Sequence, residues 1–154
     1  MKYIRYLAIA VGLVVFGALA LPALITRAQT PATSLKVVEH ADTDTVTDTG
    51  TKCDTVGDIL TFANKVFDQD NKKETGSDNG YCFRTVVGAA WECAWTVTLS
   101  DGQIMVQGPF YDTKDSTLAI IGGTGAYSNT RGDMLLHSRN DKGTEYDFTY
   151  NFAK

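Results

Sequence analysis

Val106–Tyr127, VQGPFYDTKDSTLAIIGGTGAY, decides the fold. Read from two residues upstream, Ile104 and Val106 alternate with Met105 and Gln107, the period of two that marks a half-buried strand. Gly108-Pro109 is expected to break that ladder, because proline has no N–H to donate and glycine weakens a strand interior. Asp112–Asp115 carries turn residues. Leu118–Ile121 reads as a second strand, and Gly122, Gly123 and Gly125 read as a sharp turn where side chains would clash.

Working outward, the same rhythm of strand and turn fills the chain. Leu35–Glu39 is the first strand candidate, followed by an Asp/Thr-rich surface loop, His40–Asp54. Its Asp42, Asp44 and Asp48 lack the glycine and distal glutamate of a calcium loop. Asp68–Asn79 reads as a polar connection. Tyr81–Val87 and Trp91–Leu99 form a hairpin across Gly88-Ala89-Ala90, and Met134–Ser138 and Tyr146–Phe152 are the last two strands. Seven or eight strands with no amphipathic helices between them predict an all-β barrel or sandwich. Eight strands in a closed barrel leave room for side chains or one small ligand.

The opening stretch resembles the signature of the allene oxide cyclase/dirigent barrel superfamily: a VQGP-like strand, a D-S-x-L-A-I strand, then GGTG and an aromatic residue. Gly57–Phe67 is similar to that family's GD-x-x-x-F-x-N-x-L-Y segment, Gly80-Tyr81-Cys82 to its G-x-C strand start, and Tyr146–Phe152 to its aromatic final strand. The likeness covers Leu35 to Phe152. It implies an eight-stranded antiparallel barrel and makes Ile59–Phe67 a strand. It also implies a cofactor-free isomerase or cyclase acting on a small hydrophobic substrate, chiefly by orientation. Glu39 and Asn64 would then be catalytic, and Phe62 and Cys82 would contact substrate. Ala41 stands where the plant enzymes carry an asparagine. A dirigent-type module that steers radical coupling without turnover, or a secreted binder of apolar ligands, are the alternatives. Members of the family are often trimers or dimers, so self-association is expected.

The residues themselves point to a pocket. On the hairpin, Cys82, Arg84 and Val86 share one face, and Trp91, Cys93, Trp95, Val97 and Leu99 share the facing one. If that face is interior, two tryptophans line the barrel with one arginine among them. Both tryptophans can be core or pocket wall. A lone buried cation needs a partner, and Glu39 is the best candidate for Arg84. The arginine then serves a structural ion pair or faces ligand. Cys82 and Cys93 lie opposite each other across the hairpin, where a disulfide is geometrically allowed, which leaves Cys53 over.

The chain has 154 residues, 44% hydrophobic and 21% charged, enough for one domain plus a leader. Lys2 and Arg5 precede an apolar run, Tyr6 to Ile25, broken only by Pro22, and Thr26-Arg27-Ala28 offers a cleavage site. Residues 1–28 are therefore a signal peptide or a membrane anchor through residues 6–25, residues 29–34 a leader, and residues 35–154 the barrel. The expected location is secreted or cell-envelope. A formal charge of −4 without clustered Lys/Arg disfavours nucleic acid. No metal and no cofactor are expected: there is no C-x-x-C, only His40 and His137 could add nitrogen ligands, and neither a nucleotide-binding helix nor a Walker lysine follows the glycines. No G-x-S-x-G elbow is present.

Overall fold

The computed structural model describes residues 33–153, and in it nine strands follow one another with no helix between them. They are β1 Ser34–His40, β2 Thr45–Thr47, β3 Ile59–Phe67, β4 Glu74–Val86, β5 Ala90–Leu99, β6 Gly102–Tyr111, β7 Ser116–Gly125, β8 Gly132–Ser138 and β9 Glu145–Phe152. The expected signal or anchor lies outside the described residues, as does all but the end of the leader.

Each strand from β3 to β9 pairs antiparallel with the next, and β9 pairs with β1 along its whole length. A short ladder between β1 and β3 closes the cylinder: Val38, Glu39 and His40 face Phe67, Val66 and Lys65. Eight strands therefore make a closed antiparallel barrel, and β2 lies along the outer end of β3. Closure leaves the barrel strands without long free edges. Residues 41–58, 87–89, 112–115 and 139–144 connect strands at one rim, called the upper rim here.

The pleat sends alternate side chains inward. Val66, Val97, Ile104, Leu118, Met134 and Phe148 are almost wholly buried and fill the interior. Burying a side chain of this size contributes about 1.5–3 kcal/mol relative to exposure. Tyr146, Phe148, Tyr150 and Phe152 all belong to the inward face of β9, as its alternation predicts.

Three local expectations change. Glu74–Asn79 is strand, not connection, because β3 and β5 supply hydrogen-bonding partners on both sides. Polar, glycine-rich sequence has low strand propensity, but a barrel position overrides it. Gly108-Pro109 does not end β6. Its ladder with β5 runs on through Gly108 and Pro109 to Tyr111, and only the ladder with β7 stops, at Gln107. Gly122–Gly125 is the end of β7, not a turn. A Cβ at Gly123 would lie 2.5 Å from the carbonyl oxygens of Gln103 and Tyr127, so close backbone approach is what needs glycine there. The turn itself begins at Gly125, with φ +59°.

Candidate functional site

Glu39 sits near the upper end of β1, pointing into the barrel and 5% exposed. Around it lies a cavity of about 60 Å³ walled by Phe62, Trp95, Phe110, Tyr146 and Phe148, with Asp44 at its edge. The bridged pair Cys82–Cys93 also lines it. Gly80 makes this wall possible, since a Cβ there would come within 2.3 Å of Trp95 Cβ and 2.8 Å of the Phe62 ring. Phe62 meets Trp95 edge-on with ring centroids 6.0 Å apart, and Trp95 leans on Phe148 at 5.5 Å.

The volume is room for a few waters and well short of a typical ligand pocket. Above it, a cleft of about 550 Å³ opens between the 112–115 and 139–144 connections. Phe110, Leu136 and Tyr146 line both spaces, so the cleft is an antechamber to the cavity. Phe110 and Tyr146 meet edge-on at 6.0 Å between them.

Asn64 holds the carboxyl from the neighbouring strand. Its Nδ2 donates to Glu39 Oε1 at 2.9 Å and to Asp44 Oδ1 at 2.8 Å. Its Oδ1 accepts from the Thr43 backbone N–H and from Thr43 Oγ1. A backbone N–H can only donate, so the orientation of this amide follows from the network. The 41–58 connection is thereby pinned against the barrel, and Asn64 is spent on positioning.

The electrostatics run one way. Burial first, then the nearby Asp78 carboxylate, raises the Glu39 pKa well above the usual range, against the lowering effect of Asn64. Asp78, on β4 and wholly buried, is raised to about 7, chiefly by burial. Asp44 is also raised by burial. Burial pushes the Tyr146 hydroxyl up to about 12, with the carboxylates adding to it. Three carboxyls converge here, and among the described residues no arginine or lysine is paired with them. Desolvation and like charge both favour the protonated form.

Arg84 is elsewhere. Its expected partner Glu39 is replaced by two rim acids: Nε binds Asp54 Oδ1 at 2.6 Å and Nη1 binds Asp112 Oδ2 at 2.7 Å. The guanidinium also stacks 3.9 Å over Trp91, whose Nε1 donates to Asp112. Both partners come from connections, which strand periodicity cannot place. Arg84 and Trp91 do not line the cavity, whereas Glu39, Phe62, Cys82, Cys93 and Trp95 do.

Asp78, Asp44, Phe110 and Tyr146 are the site residues that sequence reasoning missed. Tyr146 was within reach, because the alternation of β9 already set it on the inward face. Among the described residues no His/Cys/Asp/Glu group has the spacing to hold a metal ion.

Residues 29–152 match the family model described as allene oxide cyclase. Among solved structures, a pyocyanin demethylase is 27% identical, with a TM-score of 0.65 over 75% of this chain and 97% of that one. The pterocarpan synthase dirigent protein PsPTS1 shares 18% identity and a TM-score of 0.65 over 79% of this chain and 96% of its own. The Diels-Alderase AbmU from Streptomyces koyangensis shares 11% identity and a TM-score of 0.56, over 75% of this chain and 65% of its own. At the last two identities the likeness is one of fold.

Proposed function

The chain belongs to the allene oxide cyclase family, and from that premise we propose that it is a cofactor-free cyclase or isomerase in which Glu39 is the acid. The observation that carries this is a carboxyl buried in the wall of an aromatic cavity, shifted toward its neutral form, with no cation beside it among the described residues. A group so placed gives up a proton to a substrate rather than to solvent.

The substrate is a small, mostly apolar molecule with an oxygen that can take that proton. It enters through the cleft, parts Phe110 and Tyr146, and lies against Trp95 and Phe62. Proton transfer from Glu39 to the oxygen weakens the carbon–oxygen bond and spreads positive charge over the carbon framework. The new carboxylate, still held by Asn64, faces that charge and stabilises it. Ring closure or bond migration consumes the cation, and the proton returns to Glu39. Atoms and electrons balance without a redox partner. The aromatic walls fix which face closes, which is control by orientation. The disulfide fits an oxidising, exported setting.

The test is a panel run with the purified protein and with Glu39→Gln. An allene oxide generated in the assay should give product enriched in one enantiomer, and the Gln variant should give the racemate seen in buffer. Racemic product with both proteins would remove the cyclase reading. Pyocyanin belongs on the panel because a 27% identical structure is named for its demethylation. An oxidase-driven phenol coupling completes it, since stereochemical bias there without turnover elsewhere would mean a dirigent role. Self-association is part of the proposal: Tyr81 and Phe83 stack edge-on at 5.5 Å on the outer face and are about half exposed. Sedimentation of the exported domain, with Phe83→Glu as comparison, measures it.

A further inference from the structure

Asp78 is a buried carboxyl beside Glu39 that the mechanism above does not use. It is wholly buried, and neither carboxylate oxygen completes a hydrogen bond of good geometry among the described residues; the Glu39 carboxyl and the backbone N–H groups of Asn64 and Asp78 are the donors nearest to it. We propose that Glu39 and Asp78 share a single proton, with Glu39 the donor and Asp78 the acceptor, so that Asp78 is the positioning residue that keeps Glu39 an acid.

The orientation of Asn64 makes the assignment. Thr43 N–H donates into Asn64 Oδ1, so the amide nitrogen must face Glu39, and Glu39 Oε1 must accept. A proton on Glu39 therefore sits on Oε2. Asp78 lies on β4 directly across the ladder from Asn64, whose amide bonds Glu39, so both carboxyls stand inside the barrel around one side chain. The pair thus has one oxygen fixed as acceptor, one left to carry the proton, and one neighbour able to receive it.

Among the described residues the surroundings add no cation. From β1 and its following connection come Glu39 and Asp44, and from β3 the neutral Asn64. From β9 come Tyr146 and Tyr150, both raised by burial and by these same carboxylates. β5 contributes Trp95, whose Nε1 has no partner among the described residues. Arg84 on β4 is held by Asp54 and Asp112. His40 packs on Phe67 and bonds Asn71. Two full negative charges in this interior would repel one another with no cation to offset them among the described residues, whereas one proton between them halves the buried charge and gives one Asp78 oxygen a donor.

This inference rests on the reading of Glu39 as the acid, yet its test does not need a substrate. Carbon-13 labelling of Glu and Asp carboxyls lets both groups be titrated by NMR in the folded protein. In the wild type, two separated steps are expected, with the Glu39 and Asp78 signals both moving in each. A step confined to Glu39, with Asp78 unmoved, would overturn the proposal, and this reading stands even if a variant fails to fold. In Asp78→Asn the Glu39 midpoint should fall by at least one pH unit, and Asp78→Glu should restore it. An unchanged midpoint in folded Asp78→Asn would also overturn it. A coupled titration beside a catalytically silent Glu39→Gln would leave the shared proton in place and remove only the cyclase.

Discussion

The barrel buries charge in two places and treats it in opposite ways. At the upper rim, Arg84 is clamped by Asp54 and Asp112 and stacked on Trp91, so the cation is fully partnered and both acids share it. A few residues away, Glu39, Asp78 and Asp44 gather with no cation among them. Complementary charge locks a surface down and leaves little chemistry behind. Like charge in a dry interior is a standing cost, and it holds protons that a substrate can take. The difference separates a clasp from a site, although both were candidates for the same ligand-facing role.

Glu39→Gln breaks the comparison from the acid side, and its effect should be the largest. Turnover on any accepted substrate should drop by about 100-fold or more, with urea unfolding unchanged or shifted upward because a buried acid is gone. Arg84→Met breaks it from the other side. Two acids lose their partner and Trp91 loses its stack, so about 3 kcal/mol of stability should disappear, read from the urea midpoint. Turnover per folded molecule should stay near wild type, since Arg84 does not line the cavity; a loss there would show that the clasp is also a site.

Replacing both Cys82 and Cys93 by Ser removes a cross-link between residues 11 apart. That should cost about 2–3 kcal/mol by the entropy of so short a loop. Because the bridge also lines the cavity, a change in product stereochemistry would extend the site to the hairpin.

The gentlest effect is the dependence of stability on pH, followed by thermal unfolding from pH 3 to 8. Asp78, Asp44 and Glu39 have folded values above their unfolded ones, so the folded state binds the extra protons. Stability from these groups is greatest below about pH 4 and declines as pH rises, for Asp78 until about pH 7. Asp58, which accepts from the Thr49 and Thr55 backbone N–H groups, is held low. Its contribution runs the other way and is lost as pH falls below about 4. Stability should therefore peak in the acidic range, unlike the usual optimum nearer neutrality. A maximum near pH 7 would mean that the acids of the cavity are not protonated as described.

Much of the architecture was legible because strands announce themselves by alternation. Ile104/Val106, the Cys82–Cys93 hairpin and the aromatic face of β9 were all readable by period alone. The lower half of β4 was not. Gly76, Asp78 and Gly80 point inward while Ser77 and Asn79 point out, but small and polar residues on both faces erase the pattern that hydropathy detects. The two glycines are there because the neighbouring strand and the rings of Phe62 and Trp95 need the space. Asp78 was hidden with them. Glu39, Phe62 and Asn64 came from a family likeness, and their placement around one cavity could not have been had from periodicity. The partners of Arg84 were equally out of reach, since loops such as 41–58 follow side-chain bonds rather than a repeat.

The joint that shuts the cylinder is three residue pairs long, whereas β1 is tied along its full length to β9. Among the described strands, β1 therefore waits for β9 before it has a neighbour along its full length. Pairing across so long a stretch of chain puts the closing step late in folding, after the hairpins from β3 to β9 have formed their local ladders.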